Sequence, residues 1–131
     1  MGVNRLTSLS AGIVISKLLS NNKDLHGKVT AIFPVAADKA ELPYIVYKRT
    51  KGEYTPVKTG TGADSSLVEI LCCAASYGDA VNLAEIVRRI LDGAWYRDSL
   101  IEMRCCRYES SDDFWEDDAY VVRMIFKISI A

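Results

Sequence analysis

The chain reads as an α+β fold, with a mostly antiparallel sheet of four to five strands and two main helices packed on one face. Three observations lead there. Residues 79–92 carry Ala80, Leu83, Ala84, Val87, Ile90 and Leu91 at helical spacing, with Asn82, Glu85, Arg88 and Arg89 mainly opposite. Residues 120–130 alternate, with Tyr120, Val122, Met124, Phe126, Ile128 and Ile130 set against Arg123, Lys127 and Ser129. Residues 67–75 are apolar on both faces and only Glu69 interrupts, which predicts a strand covered on both sides. The helix supplies one cover, and the other requires a second layer or a partner chain.

The expected order is α-β-β-β-α-β-β in one domain spanning residues 1–131. Residues 1–7 read as a loose start. Residues 8–20 form the first helix, with Ala11, Val14, Ile15, Leu18 and Leu19 on one side and Thr7 or Ser8 as cap. Gly12 weakens it slightly. A short strand at 29–33 is stopped by Pro34, and residues 35–42 suit a loop or a short helical turn. Pro43 opens the next strand, 44–49, where a proline is tolerated. Residues 50–66 are rich in glycine, threonine and lysine without periodicity, and read as a long loop. The central helix takes Asp79 as its N-cap and Gly93 as its left-handed stop. Burying its stripe contributes on the order of 10 kcal/mol before chain entropy is subtracted. Residues 100–108 form a strand with Ile101, Met103 and Cys105 on one face and Glu102 and Arg104 on the other. Residues 109–118 read as an acidic turn joining it to the last strand as a hairpin.

Composition narrows the function classes. A chain of 131 residues, half apolar and a quarter charged, builds a core without staples. Its formal net charge of −1 disfavours a dedicated nucleic-acid binder. No apolar run approaches bilayer length and no signal sequence is evident, so the expected site of synthesis is a reducing cytoplasm with no membrane partner. The four cysteines stand as adjacent pairs, Cys72-Cys73 and Cys105-Cys106. Neighbours in a strand point to opposite faces and grip one metal poorly, so these read as small apolar residues.

Catalytic signals are absent. His26 is the one histidine, in a polar turn, and no nucleophile elbow, phosphate loop or histidine metal motif occurs. The acidic stretch Asp112, Asp113, Phe114, Trp115, Glu116, Asp117 and Asp118 lacks the ligand order of a calcium loop. It reads as a solvated turn or a charged contact surface, the aromatics favouring contact. Lys48, Arg49, Lys51 and Lys58 provide opposite charge, so the acidic stretch of one subunit can meet the basic stretch of the next. No catalytic residue, metal site or cofactor is expected.

The runs Val29-Thr-Ala-Ile-Phe-Pro34 and Leu42-Pro-Tyr-Ile-Val-Tyr47, the strand–helix unit at 67–93 and the closing acidic-aromatic hairpin resemble the tail-completion proteins of long-tailed bacteriophages and prophages. These are the tail-terminator or head–tail joining proteins. The paired cysteines and Trp115 are not part of that pattern. The resemblance implies a non-enzymatic virion protein, assembled in the bacterial host cytoplasm. It further implies a homo-oligomeric ring, usually a hexamer, that terminates the tail tube, meets the head connector and lets DNA pass without reading its sequence. Lys48, Lys51 and Lys58 are candidates to line that passage. The alternative reading is a small α+β ligand- or partner-binding protein of bacterial origin. An enzyme would need its carboxylates gathered in a cleft.

Overall fold

The computed structural model describes residues 5–37, 41–57 and 60–131. A single turn of 3-10 helix, Ser8–Ser10, leads into α1 (Ala11–Ser20), followed by the short α2 (Lys23–His26). Three strands follow, β1 (Ala31–Pro34), β2 (Tyr44–Val57) and β3 (Gly60–Ala74). Then come α3 (Tyr77–Leu91), β4 (Tyr96–Arg97), β5 (Glu102–Glu116) and β6 (Ala119–Ile130). The strands form one six-stranded sheet in the order β1-β2-β3-β6-β5-β4. All neighbours are antiparallel except β1 and β2. The sheet is thus wider than expected by the two-residue β4, and mixed because β1 returns parallel to β2.

Both main helices arise where their apolar stripes demand. Thr7 caps the first turn, its hydroxyl accepting from the Leu9 amide, and Ala11, Val14, Ile15 and Leu19 of α1 are buried. The α3 stripe is buried at Ala80, Leu83, Ala84, Val87 and Leu91, together with Ile86. Its cap is Ser76, whose hydroxyl accepts from the Asp79 amide, so the helix starts two residues before the expected Asp79. Gly93 takes φ +81 after the last turn, the left-handed stop that its position suggested. Both helices pack into one core with the sheet residues Ile45, Val68, Ile70, Cys72, Ala74, Met124, Phe126 and Ile128.

A polar latch fixes the start of the chain to β3. Asp64 accepts from the Ser8 amide (2.8 Å) and hydroxyl (2.7 Å), and the Ser66 hydroxyl donates to the Ser8 carbonyl (2.9 Å). The Leu6 amide donates to the Leu100 carbonyl at 2.8 Å, so residues 6–8 are tied down where a loose start was expected.

Two expected loops are strands. Within the 50–66 stretch, residues 50–57 and 60–66 are the outer parts of β2 and β3, paired from Lys51 with Leu67 to Val57 with Gly60. It hid because residues 50–54 are exposed on both faces, where no apolar alternation is required. The acidic 109–118 stretch continues β5 and pairs with β6 as far as Glu116 with Ala119. The turn is only Asp117 and Asp118, both left-handed at φ 51 and φ 60, the geometry of tight hairpins. A register shift between Met103 and Cys105 also reverses the cysteines, burying Cys106 fully and leaving Cys105 half-buried.

The face of β3 away from the helices has a smaller apolar cluster. Cys73, Ala119 and Val121 are buried there, with Leu42, Tyr44, Leu71 and Phe114 packed around them. Side chains of the sheet itself therefore supply part of the second cover expected for this strand. Burial raises all three enclosed thiols, Cys73 to about 11 and Cys106 to about 12, with Cys72 raised furthest.

Candidate functional site

The charged residues singled out by the sequence lie on two opposite margins of the sheet. Lys48, Arg49 and Lys51 are on β2, all exposed, beyond the point where β1 covers that strand. Lys51 Nζ lies 3.6 Å from Glu53. Lys48 stands opposite Glu69 across the ladder. Lys58 falls outside the described residues.

The acidic residues are on β5 and its turn, at the other margin. Asp112 is committed within the subunit: Arg123 Nε and Nη2 donate to its two oxygens at 2.8 and 2.7 Å. The hydrogen bonds to Asp112 raise the Arg123 pKa, and the guanidinium carbon sits 5.4 Å from the Phe114 ring centre. Asp113 accepts from the Tyr77 hydroxyl at 2.6 Å, which ties β5 to the start of α3. Phe114 is half-buried in the second cluster, whereas Trp115 is 59% exposed. Glu116, Asp117 and Asp118 are exposed. The structure therefore separates Lys48, Arg49 and Lys51 from the acidic stretch, in which Trp115, Glu116, Asp117 and Asp118 are exposed.

Main-chain edges accompany both charged stretches. On β5 the end of α3 satisfies the outer edge up to Tyr108: the Gly93 amide donates to the Cys106 carbonyl (2.7 Å), and the Tyr108 amide donates to Asp92 (3.0 Å). Among the described residues, none pairs by main chain with the outer side of 109–116, or with that of 48–53 on β2.

Sequence reasoning missed an exposed apolar set. Leu9 (72%) and Ile13 (55%) protrude from the outer side of the first helical turns, and Trp95 (72%) from the loop after α3. Leu9 and Ile13 are four residues apart and off the core stripe, which was the available signal. A cleft of about 340 Å³ lies at the start of α3, lined by Lys28, Pro43, Asp79, Asn82, Leu83 and Ile86. No cluster suited to a metal ion occurs among the described residues, and no described helix is long and apolar enough to cross a membrane.

The chain is thus a small α+β subunit with a six-stranded mixed sheet, two helices on one face and charged stretches on its margins. Comparison with known proteins places it in a family. The profile of the family described as Tail completion protein gp17 matches residues 14–131, and the chain belongs to that family of phage tail structural proteins, components of the virion. Its fold matches a chain in the solved structure titled "Virion of native gene transfer agent (GTA) particle", with a TM-score of 0.71 and 18% identity. That match covers 88% of this chain and 90% of the other. No curated protein matches the chain.

Proposed function

We propose that the protein closes into a ring, a hexamer, at the head-proximal end of a phage tail, where it terminates the tube and joins it to the head. The supporting observation is the placement of the basic and acidic stretches on opposite margins of one sheet. A ring needs two different complementary patches per subunit, whereas a two-fold dimer needs one patch that complements itself. The contact residues in this reading are Lys48, Arg49, Lys51 and Lys58 on one side, with Asp112 to Asp118 on the other. The role is structural and requires no catalytic group. Tail-tube and head-connector proteins are the partners above and below the ring. DNA passes through its centre without sequence recognition, and Lys48, Lys51 and Lys58 are candidates to face it instead of the neighbouring subunit.

Light scattering over a concentration series, alone and with purified tail tubes, tests this reading. A discrete mass near six subunits in either setting supports it. A stable dimer, or failure to bind tubes, overturns it. Replacing the three lysines with Glu tests the passage: unchanged assembly and unchanged DNA delivery would remove them from it. The 340 Å³ cleft favours the second reading, a ligand-binding protein, and a small molecule retained there in the purified protein would support it.

A further inference from the structure

We propose that the outer edge of β5 over residues 109–116 accepts the outer edge of β2, residues 48–53, of a second copy, so that one sheet runs from subunit to subunit. This rests on the ring reading and specifies its contact. Three antiparallel steps separate β2 from β5, so the two run in opposite directions within a subunit. Rotation about a ring axis preserves each strand's sense along that axis. The β5 of one copy therefore meets the β2 of the next as an antiparallel pair.

The covers on the two edges fix the register. Strand β1 occupies β2 as far as Tyr47, while β4 and the end of α3 occupy β5 as far as Tyr108. The free stretches thus lie at opposite ends of the ladder, because Lys48 is level with Glu69, Ile125 and Ser110. Opposed residues in a sheet must also share a face. Setting Lys51 against Phe114 meets both conditions. Lys48 then faces Glu116, Arg49 faces the exposed Trp115, and β1 of the neighbour passes beyond the Asp117–Asp118 turn.

The helix side of this edge is built to receive side chains. A groove of about 150 Å³ runs between α3 and β5, lined by Tyr77, Val81, Ala84, Arg88, Tyr108 and Asp113. An added strand directs every second side chain into it, the arrangement of strand-addition sites.

The pairing has a geometric consequence. Lys51 is level with Lys127, and Phe114 with Val121, so joining them shifts neighbouring sheets by six residues, about 20 Å along the strands. Four strand spacings of about 4.8 Å separate the equivalent edges. A ring closes on such a stagger when its strands incline by about 45° to the axis, close to the tilt of closed barrels.

Charge reversal tests this directly. One variant carries Lys48→Glu and Lys51→Glu, the other Glu116→Lys, since Glu116 lies opposite Lys48 and diagonal to Lys51 in this register. Each alone is expected to assemble at least tenfold more weakly than the unmodified protein, measured by light scattering with and without tail tubes. An equimolar mixture is expected to recover rings, since alternating subunits restore every contact, and recovery shows that both variants fold. Amides 111–115 are expected to gain hydrogen-exchange protection on assembly. If both variants assemble normally, the edge pairing is overturned while the ring stands. If the mixture fails as each variant does, the pairing is likewise overturned. If the unmodified protein forms no ring even on tubes, the ring reading falls and this contact with it.

Discussion

Val35 is the strained residue of the chain. Its φ is +66, and the Ala36 amide closes onto the Pro34 carbonyl at 2.7 Å, forming a tight three-residue turn. A β-branched side chain is poorly suited to that conformation, and its exposure of 65% means that little burial offsets the cost. Val35→Asn is expected to raise stability by about 1 kcal/mol, read as a higher urea midpoint at unchanged slope. Asp98 is the opposite case, a surface carboxylate held by many donors. The Leu100 amide (2.7 Å) holds it foremost, then the Tyr96 hydroxyl (2.8 Å) and the Ile101 amide (3.0 Å), which together lower its pKa to about 2. A depressed carboxylate stabilises the fold above its ordinary pKa near 3.8, and that contribution is lost as pH falls from about 4 toward 2. Asp98→Ala is expected to lower stability at pH 7 and to flatten the acid limb of the stability–pH curve over that window.

The elements were legible wherever one face had to be buried. The stripes of α1 and α3 and the alternation of β6 follow from that demand, and each element lies within a few residues of its expected place. The outer halves of β2 and β5 were not legible, because a solvent-facing strand carries no period-two apolar signal and Asp disfavours strands. Cys105 was assigned to the core face from simple alternation, which a register shift one residue earlier defeats. Gly12 illustrates an element with room to improve. A Cβ there would meet the Tyr47 ring at 3.6 Å, an ordinary contact, so Gly12→Ala is expected to stabilise α1 by about 0.5–1 kcal/mol in thermal unfolding.

For the whole molecule, the sequence identified the residues of the candidate site but not their relation. The charged stretches looked like two loops, and only the strand order sets them on opposite margins. Strand order depends on long-range pairing that no local window contains. The cysteines report on the molecule as a unit. Cys72, Cys73 and Cys106 are enclosed and Cys105 is half-buried. A thiol reagent at neutral pH is therefore expected to label Cys105 promptly, and the other three only at the rate of global opening. Fast labelling of all four would show a looser core than described here.

The strands with a free edge carry most of the register shifts. β2 has one between Arg49 and Lys51, and β5 has them between Met103 and Cys105 and between Tyr108 and Ser110. The interior pairing of β3 with β6 runs without interruption from Asp64 to Ala74. A straight, bare edge recruits any extended peptide it encounters, whereas a kinked and charged one pairs well only with a counterpart bent to suit it. In the proposed pairing the irregularities act as an address: a regular strand fits this edge less well than its bent counterpart.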